Sequence, residues 1–278
     1  MKKNWVKGLL GIMSILTLAA CGDNEAVDAN TGDTASTTIE EIQEKGELVV
    51  ATSADYPPYE WHLVKDGKDA IVGFDIDIAQ NIADELGVEL VINDMDFNGL
   101  IPAVSTGKAD LVIAGMNPTP ERSENVDFTD VYVTTKDVVL IKKEDQDKYT
   151  SKDSLKEMKW ATQKATIQEE FLKETYPDAY LQSVGKWGAA ILSLTTGKVD
   201  GILMVETVAN QYAKSNEDLA VAEIDLGSEP NQAAIAVQKG NDDFLETVNG
   251  LLKEMQADGT VDELIEKNVQ LMEDNNAN

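Results

Sequence analysis

The chain has 278 residues, a formal net charge of −28 at pH 7, one cysteine and one histidine. So acidic a surface repels nucleic acid and anionic lipid head groups, which argues against polyanion binding, and one cysteine cannot form an intramolecular disulfide. The charges are scattered along helix-like segments such as 166–173 and 242–254, which reads as a solvated face rather than an acidic site. With 42% hydrophobic residues, the stretch of about 240 residues after position 38 has material for two ordinary domains.

Lys2, Lys3 and Lys7 make a basic start, residues 8–20 form an apolar run too short to span a bilayer comfortably, and Leu18-Ala19-Ala20-Cys21 closes it. The closing tetrapeptide resembles the lipobox of bacterial lipoproteins. That resemblance implies residues 1–20 as signal peptide, Cys21 as the acylated first residue of the mature chain, and a lipid anchor on the outer face of the bacterial cytoplasmic membrane. An ordinary signal peptide that happens to precede a cysteine is the plainer alternative. Residues 21–38 are small, polar and acidic with little to bury, the composition of a disordered tether.

Folded sequence is expected from Ile39. Residues 48–52 have the apolar run of a buried strand. Residues 75–86 read as a helix with Ile78, Ala79, Ile82, Ala83 and Leu86 on one face and Gly87 as the stop. A strand over 89–92, a helix over 98–106 stopped by Gly107, and a strand over 109–114 follow. Strand and helix alternate through short connections, which calls for parallel pairing with helices on the sheet faces.

About ninety residues further on the pattern returns. Residues 101–115 (IPAVSTGKADLVIAG) align with 191–205 (ILSLTTGKVDGILMV), each an amphipathic helix, a glycine stop and an apolar strand. Thr-Gly-Lys is a common local way to stop a helix, so coincidence stays open. The simplest reading is an α/β chain of two lobes with related architecture.

Arg122 is the only arginine; every other member of the 23 Lys and Arg residues is lysine. One guanidinium in a lysine-biased chain suggests a need for the planar fork that grips a carboxylate through two parallel hydrogen bonds, the alternative being a surface arginine. In Asn117-Pro-Thr-Pro-Glu-Arg122, Thr119 suits an N-cap and Pro120 a first helical residue, which sets Arg122 in a first turn beside free N–H groups. Gly115 leaves the backbone open to a ligand. Thr166-Ile-Gln-Glu169 reads as a capping box, Thr166 as cap and Glu169 reaching back, after a strand over 160–162. Two helix starts beyond strand ends describe a carboxylate clamp, although each is also simply a well-terminated helix.

The prolines of residues 53–61 suggest a stiff loop displaying Tyr56, Tyr59 and Trp61, and Phe97 follows the next strand. Any of these rings can be core, but Tyr56 and Phe97 fall just past strand ends, where a ligand would lie. There is no Ser-His-Asp set and no metal-ligand spacing, and the lone His62 reads as a surface residue. No catalytic group, cofactor or metal is therefore expected.

Residues 53–61, 72–78, 94–103, 113–122 and 126–130 together resemble, in order, successive motifs of the polar amino-acid-binding proteins of ABC importers, over roughly residues 44–257. The resemblance implies an α/β, periplasmic-binding-protein-like fold of two lobes, each a mostly parallel sheet flanked by helices, joined by two crossover strands near 132–136 and 227–232. Lobe 1 would be residues 39–133 plus 231–278, and lobe 2 residues 134–230. Arg122 would hold the substrate α-carboxylate with the backbone of Gly115 and Asn117 and the turn at Thr166 and Ile167. Tyr56 and Phe97 would sandwich the side chain, and Met116, Gln163 and Gln168 complete the candidate set. Where many members carry an acid for the α-ammonium this sequence has Val205, with Glu206 next to it. Either the turn shifts so that Glu206 serves, or the ammonium is held differently. Ser53 stands where several members have an acid, with Asp55 close by.

The implied function is to bind a polar L-amino acid by hinge closure and deliver it, as a monomer, to an ABC permease with its cytoplasmic ATPase. Stacked rings, Asp55 and the acidic field favour arginine or another basic amino acid, with glutamine next. The alternatives are a cyclohexadienyl-dehydratase-like enzyme on the same fold and an adhesin or sensor domain.

Overall fold

The computed structural model describes residues 38–276, and the elements and counts given are theirs. The expected signal peptide, Cys21 and residues 22–37 of the tether lie outside the described residues. The first lobe opens with α1 (Thr38–Lys45) and β1 (Glu47–Thr52), followed by a small antiparallel sheet of β2 (Asp55–Tyr56), β3 (Glu60–Lys65) and β4 (Lys68–Val72). It continues through α2 (Phe74–Leu86), β5 (Glu89–Asp94), α3 (Leu100–Ser105), β6 (Leu111–Val112), α4 (Pro120–Ser123) and β7 (Val126–Phe128).

β8 (Val133–Thr135) leads into the second lobe, which runs β9 (Asp137–Lys142), β10 (Trp160–Gln163), α5 (Ile167–Thr175), β11 (Leu181–Val184), α6 (Trp187–Thr195), β12 (Gly201–Val205), α7 (Glu206–Ser215) and β13 (Leu219–Ala222). β14 (Asn231–Ala233) then returns the chain to β15 (Ala236–Gln238), α8 (Asp242–Ala257) and α9 (Thr260–Asn276).

Each lobe is built on a five-stranded sheet, ordered β5-β1-β6-β15-β7 in the first and β11-β10-β12-β9-β13 in the second. Both follow one plan. The first three strands are parallel, and the fourth is antiparallel to both its neighbours. The fourth strand departs from parallel pairing for a topological reason: β9 and β15 are the strands that have just crossed from the opposite lobe. The linking strands β8 and β14 pair with each other, Asn231 opposite Thr135 and Ala233 opposite Val133. The internal repeat is therefore structural: α3 and β6, and α6 and β12, hold the same places in the two sheets. Gly107 (φ 70°) and Gly197 (φ 72°) supply the left-handed residue after each helix.

α2 buries the face expected of it, with Ile78, Ala79, Ile82, Ala83 and Leu86 all in the core; each large aliphatic side chain so placed contributes about 1.5–3 kcal/mol. The helix starts at Phe74, because Gly73 (φ 141°) lets the hairpin lie directly against its first turn. Phe74 N–H donates to Pro58 O (3.1 Å) and Asp75 N–H to Tyr59 O (3.0 Å), which satisfies two first-turn donors. A Cβ at position 73 would stand 1.9 Å from Tyr59 O.

Three expectations change in detail. Residues 98–106 are not one helix: a 3-10 turn over Phe97–Gly99 precedes α3, which ends at Ser105. The strand over 109–114 is assigned only at Leu111–Val112, since the chain then leaves the sheet and Gly115 N–H donates to Asp75 Oδ2 (2.9 Å). Residues 53–61 form a hairpin in place of the expected stiff loop. β2 and β3 pair, Tyr56 opposite Glu60, which folds Tyr59 (2% exposed) onto Phe74 with ring centroids 4.4 Å apart and buries Trp61.

Candidate ligand-binding cleft

Ser53 follows β1, Phe97 follows β5, Gly115 and Asn117 follow β6, and Gln163 ends β10, so a cleft lies at the carboxyl ends of the parallel strands of both sheets. The first lobe contributes Tyr56, Glu60, Phe97 and Arg122, and the second contributes Thr166, Gln168 and Trp187. Asn231 of β14 reaches the same cavity from the linking strands.

Arg122 is the centre of its charge. Nη1–H donates to Asn117 O (2.7 Å), Nη2–H to Ala165 O of the second lobe (2.8 Å), and Cζ stands 5.3 Å from the Phe97 ring centroid. Among the described residues it makes no ion pair. Burial lowers its pKa to about 10, against the opposing fields of Glu121 and Glu170. A half-buried guanidinium whose hydrogen bonds go to neutral carbonyls attracts a carboxylate, because its partial desolvation is not matched by an opposite charge. The local sequence sets it there as expected: Thr119 caps α4, accepting Arg122 N–H at 3.3 Å, and Pro120 opens the helix.

The second helix start differs from a capping box in one respect. Thr166 Oγ1 accepts Glu169 N–H (3.2 Å), but the Glu169 carboxylate accepts from Ala165 N–H (2.7 Å) and Ser183 Oγ (2.6 Å) instead of reaching the cap residue. The cause is Ala165, whose φ of 64° turns its N–H towards Glu169 and its carbonyl towards Arg122. A left-handed alanine costs about 1–2 kcal/mol, and these two bonds offset it.

Tyr56, Phe97, Gly115, Asn117, Arg122, Gln163, Thr166 and Gln168 thus line one cavity. Met116 and Ile167 line an adjoining hollow of 460 Å³ that meets the cleft at Phe97, Arg122 and Thr166. Gly115 is placed for a different reason from the one expected. Its N–H is taken by Asp75, and at φ 55° a Cβ would press on Tyr56 Cε1 at 3.1 Å. Asp55 lies behind the wall: Oδ2 accepts Gly188 N–H of α6 (3.4 Å), and burial pushes its carboxyl up to about 6 despite Lys186. Glu206 does not reach the cleft. It opens α7, and its carboxylate pairs with Lys136 (3.0 Å) in a separate hollow.

Glu60, Trp187 and Asn231 join the cleft without having been singled out by sequence. Glu60 is 1% exposed and its carboxyl meets that of Asp75. Burial, then Asp75 and Asp55, push Glu60 well above the usual carboxylate range. Asp75 is raised by burial to about 7, opposed by Gly115 N–H, Tyr132 Oη–H and Glu60. Gly115 N–H and Tyr132 Oη–H both donate to Asp75, which ties that carboxyl to the protein, whereas Glu60 lines the cleft. The available signal was alternation: Tyr56 and Glu60 are cross-strand partners in a hairpin. Trp187 stacks on Tyr56 at 5.5 Å and 20° across the lobes. No cluster of three or more potential metal ligands, and no helix long and apolar enough to cross a membrane, occurs among the described residues.

A cleft between two lobes that exchange paired crossover strands, with an unmatched guanidinium inside it, defines a solute-binding receptor. Residues 48–270 match the bacterial extracellular solute-binding proteins, family 3, and the chain belongs to that family. It is 35% identical over 271 residues to the arginine-binding extracellular protein ArtP of Bacillus subtilis (strain 168), covering 95% of this chain and 97% of that one. It is 33% identical over 212 residues to the ABC transporter arginine-binding protein 1 of Escherichia coli (strain K12), covering 75% and 84%. An amino acid ABC transporter substrate-binding protein from Streptococcus pneumoniae, solved bound to L-arginine, superposes with a TM-score of 0.82 at 42% identity, covering 84% of this chain and 98% of that one. All three relatives are binding proteins and not enzymes, which sets the dehydratase-like alternative aside.

Proposed function

We propose that this protein binds an L-amino acid with a cationic side chain, L-arginine first, between its lobes and delivers it to an ABC permease with its cytoplasmic ATPase. The observation that carries the reading is Arg122, half-buried at the lobe junction with only carbonyls as its hydrogen-bond partners. It supplies the α-carboxylate site, assisted by the first-turn N–H groups of α5 that no intrahelical carbonyl can satisfy. Glu60 supplies the opposite pole. Tyr56, Phe97 and Trp187 provide ring faces between the two, suited to a planar cation. Two of the relatives named above are arginine-binding proteins.

The lobes divide at the paired strands β8 and β14, with residues 39–133 and 231–278 in lobe 1 and 134–230 in lobe 2. A ligand that touches Arg122 on one side and Thr166 on the other shifts the hinge equilibrium towards closure. The receptor works as a monomer held by acylated Cys21 outside the cytoplasmic membrane. Mass spectrometry of the native amino terminus tests the anchor, and loss of amino-acid uptake on deleting the protein separates a transport receptor from an adhesin or sensor.

The direct test is thermal melting of the purified protein against each of the twenty L-amino acids. A ligand present at a thousandfold its dissociation constant stabilises by about 4 kcal/mol. Arginine is expected at the head of the ranking, with contraction in solution scattering. No response to any amino acid sinks the reading; glutamine at the head would reassign the Glu60 end alone.

A further inference from the structure

Position 205 is valine and Glu206 faces Lys136, so the acid that the α-ammonium needs has to come from elsewhere. The strand ladder brings one to the same place. Val205 on β12 lies directly opposite Asp137 on β9, and directly opposed residues of an antiparallel pair send their side chains to the same face. Asp137 is 6% exposed, and its Oδ1 accepts from both Gln168 Nε2 (2.8 Å) and Asn231 Nδ2 (2.9 Å).

Those two bonds fix the direction of both amides. An ionised carboxylate only accepts, so each side chain turns its NH2 group to Asp137 and its oxygen away from it. Gln168 and Asn231 are 4% and 3% exposed, and both line the cleft. Among the described residues neither Gln168 Oε1 nor Asn231 Oδ1 receives a hydrogen bond. Two amide side chains, each more than nine-tenths buried, thus leave their oxygens on the cleft wall, backed by the Asp137 carboxyl and with no donor among the described residues to satisfy them. Tyr56 belongs to the same corner, since its hydroxyl meets the Val205 backbone and feels the field of Asp137.

We propose that Gln168 Oε1 and Asn231 Oδ1 receive the α-ammonium of the bound amino acid, and that Asp137 positions both amides and supplies the compensating charge. Asp137 thereby takes over the work of the acid absent from position 205. This deepens the amino-acid-binding reading and rests on it. Asn231 sits on a linking strand, so ammonium capture also ties the ligand to the hinge.

Calorimetry of the full chain with L-arginine and with 5-guanidinopentanoate, the same molecule without its α-amino group, tests the assignment. Wild type is expected to prefer L-arginine by about 30-fold or more, the lower range for a buried charge pair. Asp137→Asn keeps the shape and removes the charge; it should bring L-arginine to within about threefold of 5-guanidinopentanoate while leaving the latter's affinity unchanged. Gln168→Leu should lose part of the same preference, and Glu206→Gln should lose none. An undiminished preference in both Asp137→Asn and Gln168→Leu overturns the proposal, as does an equal weakening of the two compounds, which would make Asp137 merely structural. Wild-type protein that binds neither compound overturns the cationic-ligand reading itself, and this inference with it.

Discussion

Lys186, at the start of α6 in the second lobe, donates from Nζ to Asp94 Oδ1 of the first lobe at 2.7 Å, and the same ammonium reaches Met95 O at 3.1 Å. Both acceptors lie across the cleft from it, so the contact exists only when the lobes meet. Gly188 N–H to Asp55 and Tyr212 Oη–H to Asp55 O (2.9 Å) cross the same edge. Burial raises Asp94, but Lys186, the Ala54 N–H and His62 outweigh it and hold the carboxyl below its ordinary value.

The first prediction concerns this latch. Both side chains are partly exposed, which limits the coupling to about 1 kcal/mol. A double-mutant cycle of Lys186→Met and Asp94→Asn, read as ligand dissociation rate, should show that coupling and accelerate release of every ligand by a similar factor. Independent, additive effects would mean that the pair does not govern closure.

Arg122→Ala removes the partner of a desolvated carboxylate and should cost about 2–5 kcal/mol of affinity, with Arg122→Lys restoring only part because an ammonium lacks the planar fork. The loss should be alike for all amino acids, whereas Tyr56→Ala or Phe97→Ala should reorder them. Titration calorimetry decides; wild-type affinity in folded Arg122→Ala would remove the carboxylate site from this arginine.

Gly73→Ala should destabilise the first lobe by about 3 kcal/mol or more, since it combines a disallowed backbone conformation with a methyl group driven into the Tyr59 carbonyl. Urea unfolding measures it. Gly46→Ala, also at positive φ but with open space around the added methyl, should cost less.

Asp55 and Asp75 titrate in the folded protein at about 6 and about 7, above their ordinary 3.8. Between these values and 3.8 the folded state holds protons that the unfolded chain has released. The stability they contribute is therefore complete below about pH 4 and lost as pH rises through 6 and 7. The ligand-free melting temperature should fall from pH 5 to pH 8, and Asp75→Asn should flatten that slope. A slope unchanged in Asp75→Asn would place the titration elsewhere.

Local rules made much of this molecule readable from its residues. The spacing of Ile78, Ile82 and Leu86 defines a buried face whatever it packs on, Thr119 and Thr166 cap the turns that follow them, and Gly107 and Gly197 stop helices because few other residues enter the left-handed region cheaply. A lone arginine beside a cap was enough to locate one wall of the cleft.

What the linear order could not decide is which distant residues share a corner. Asp137 and Val205 are neighbours only because β9 crosses from the other lobe and pairs with β12 in one particular register, and a shift of one residue would turn Asp137 to the opposite face. Glu206 looked like the substitute acid because it is next in sequence, yet at the start of α7 it turns out to Lys136. Glu60 and Trp187 join the cleft through a hairpin register and a contact between lobes, neither of which is written in local periodicity. The residues determined which segments form and what charge they carry; the pairing of strands far apart in the chain decided which of those charges face one another.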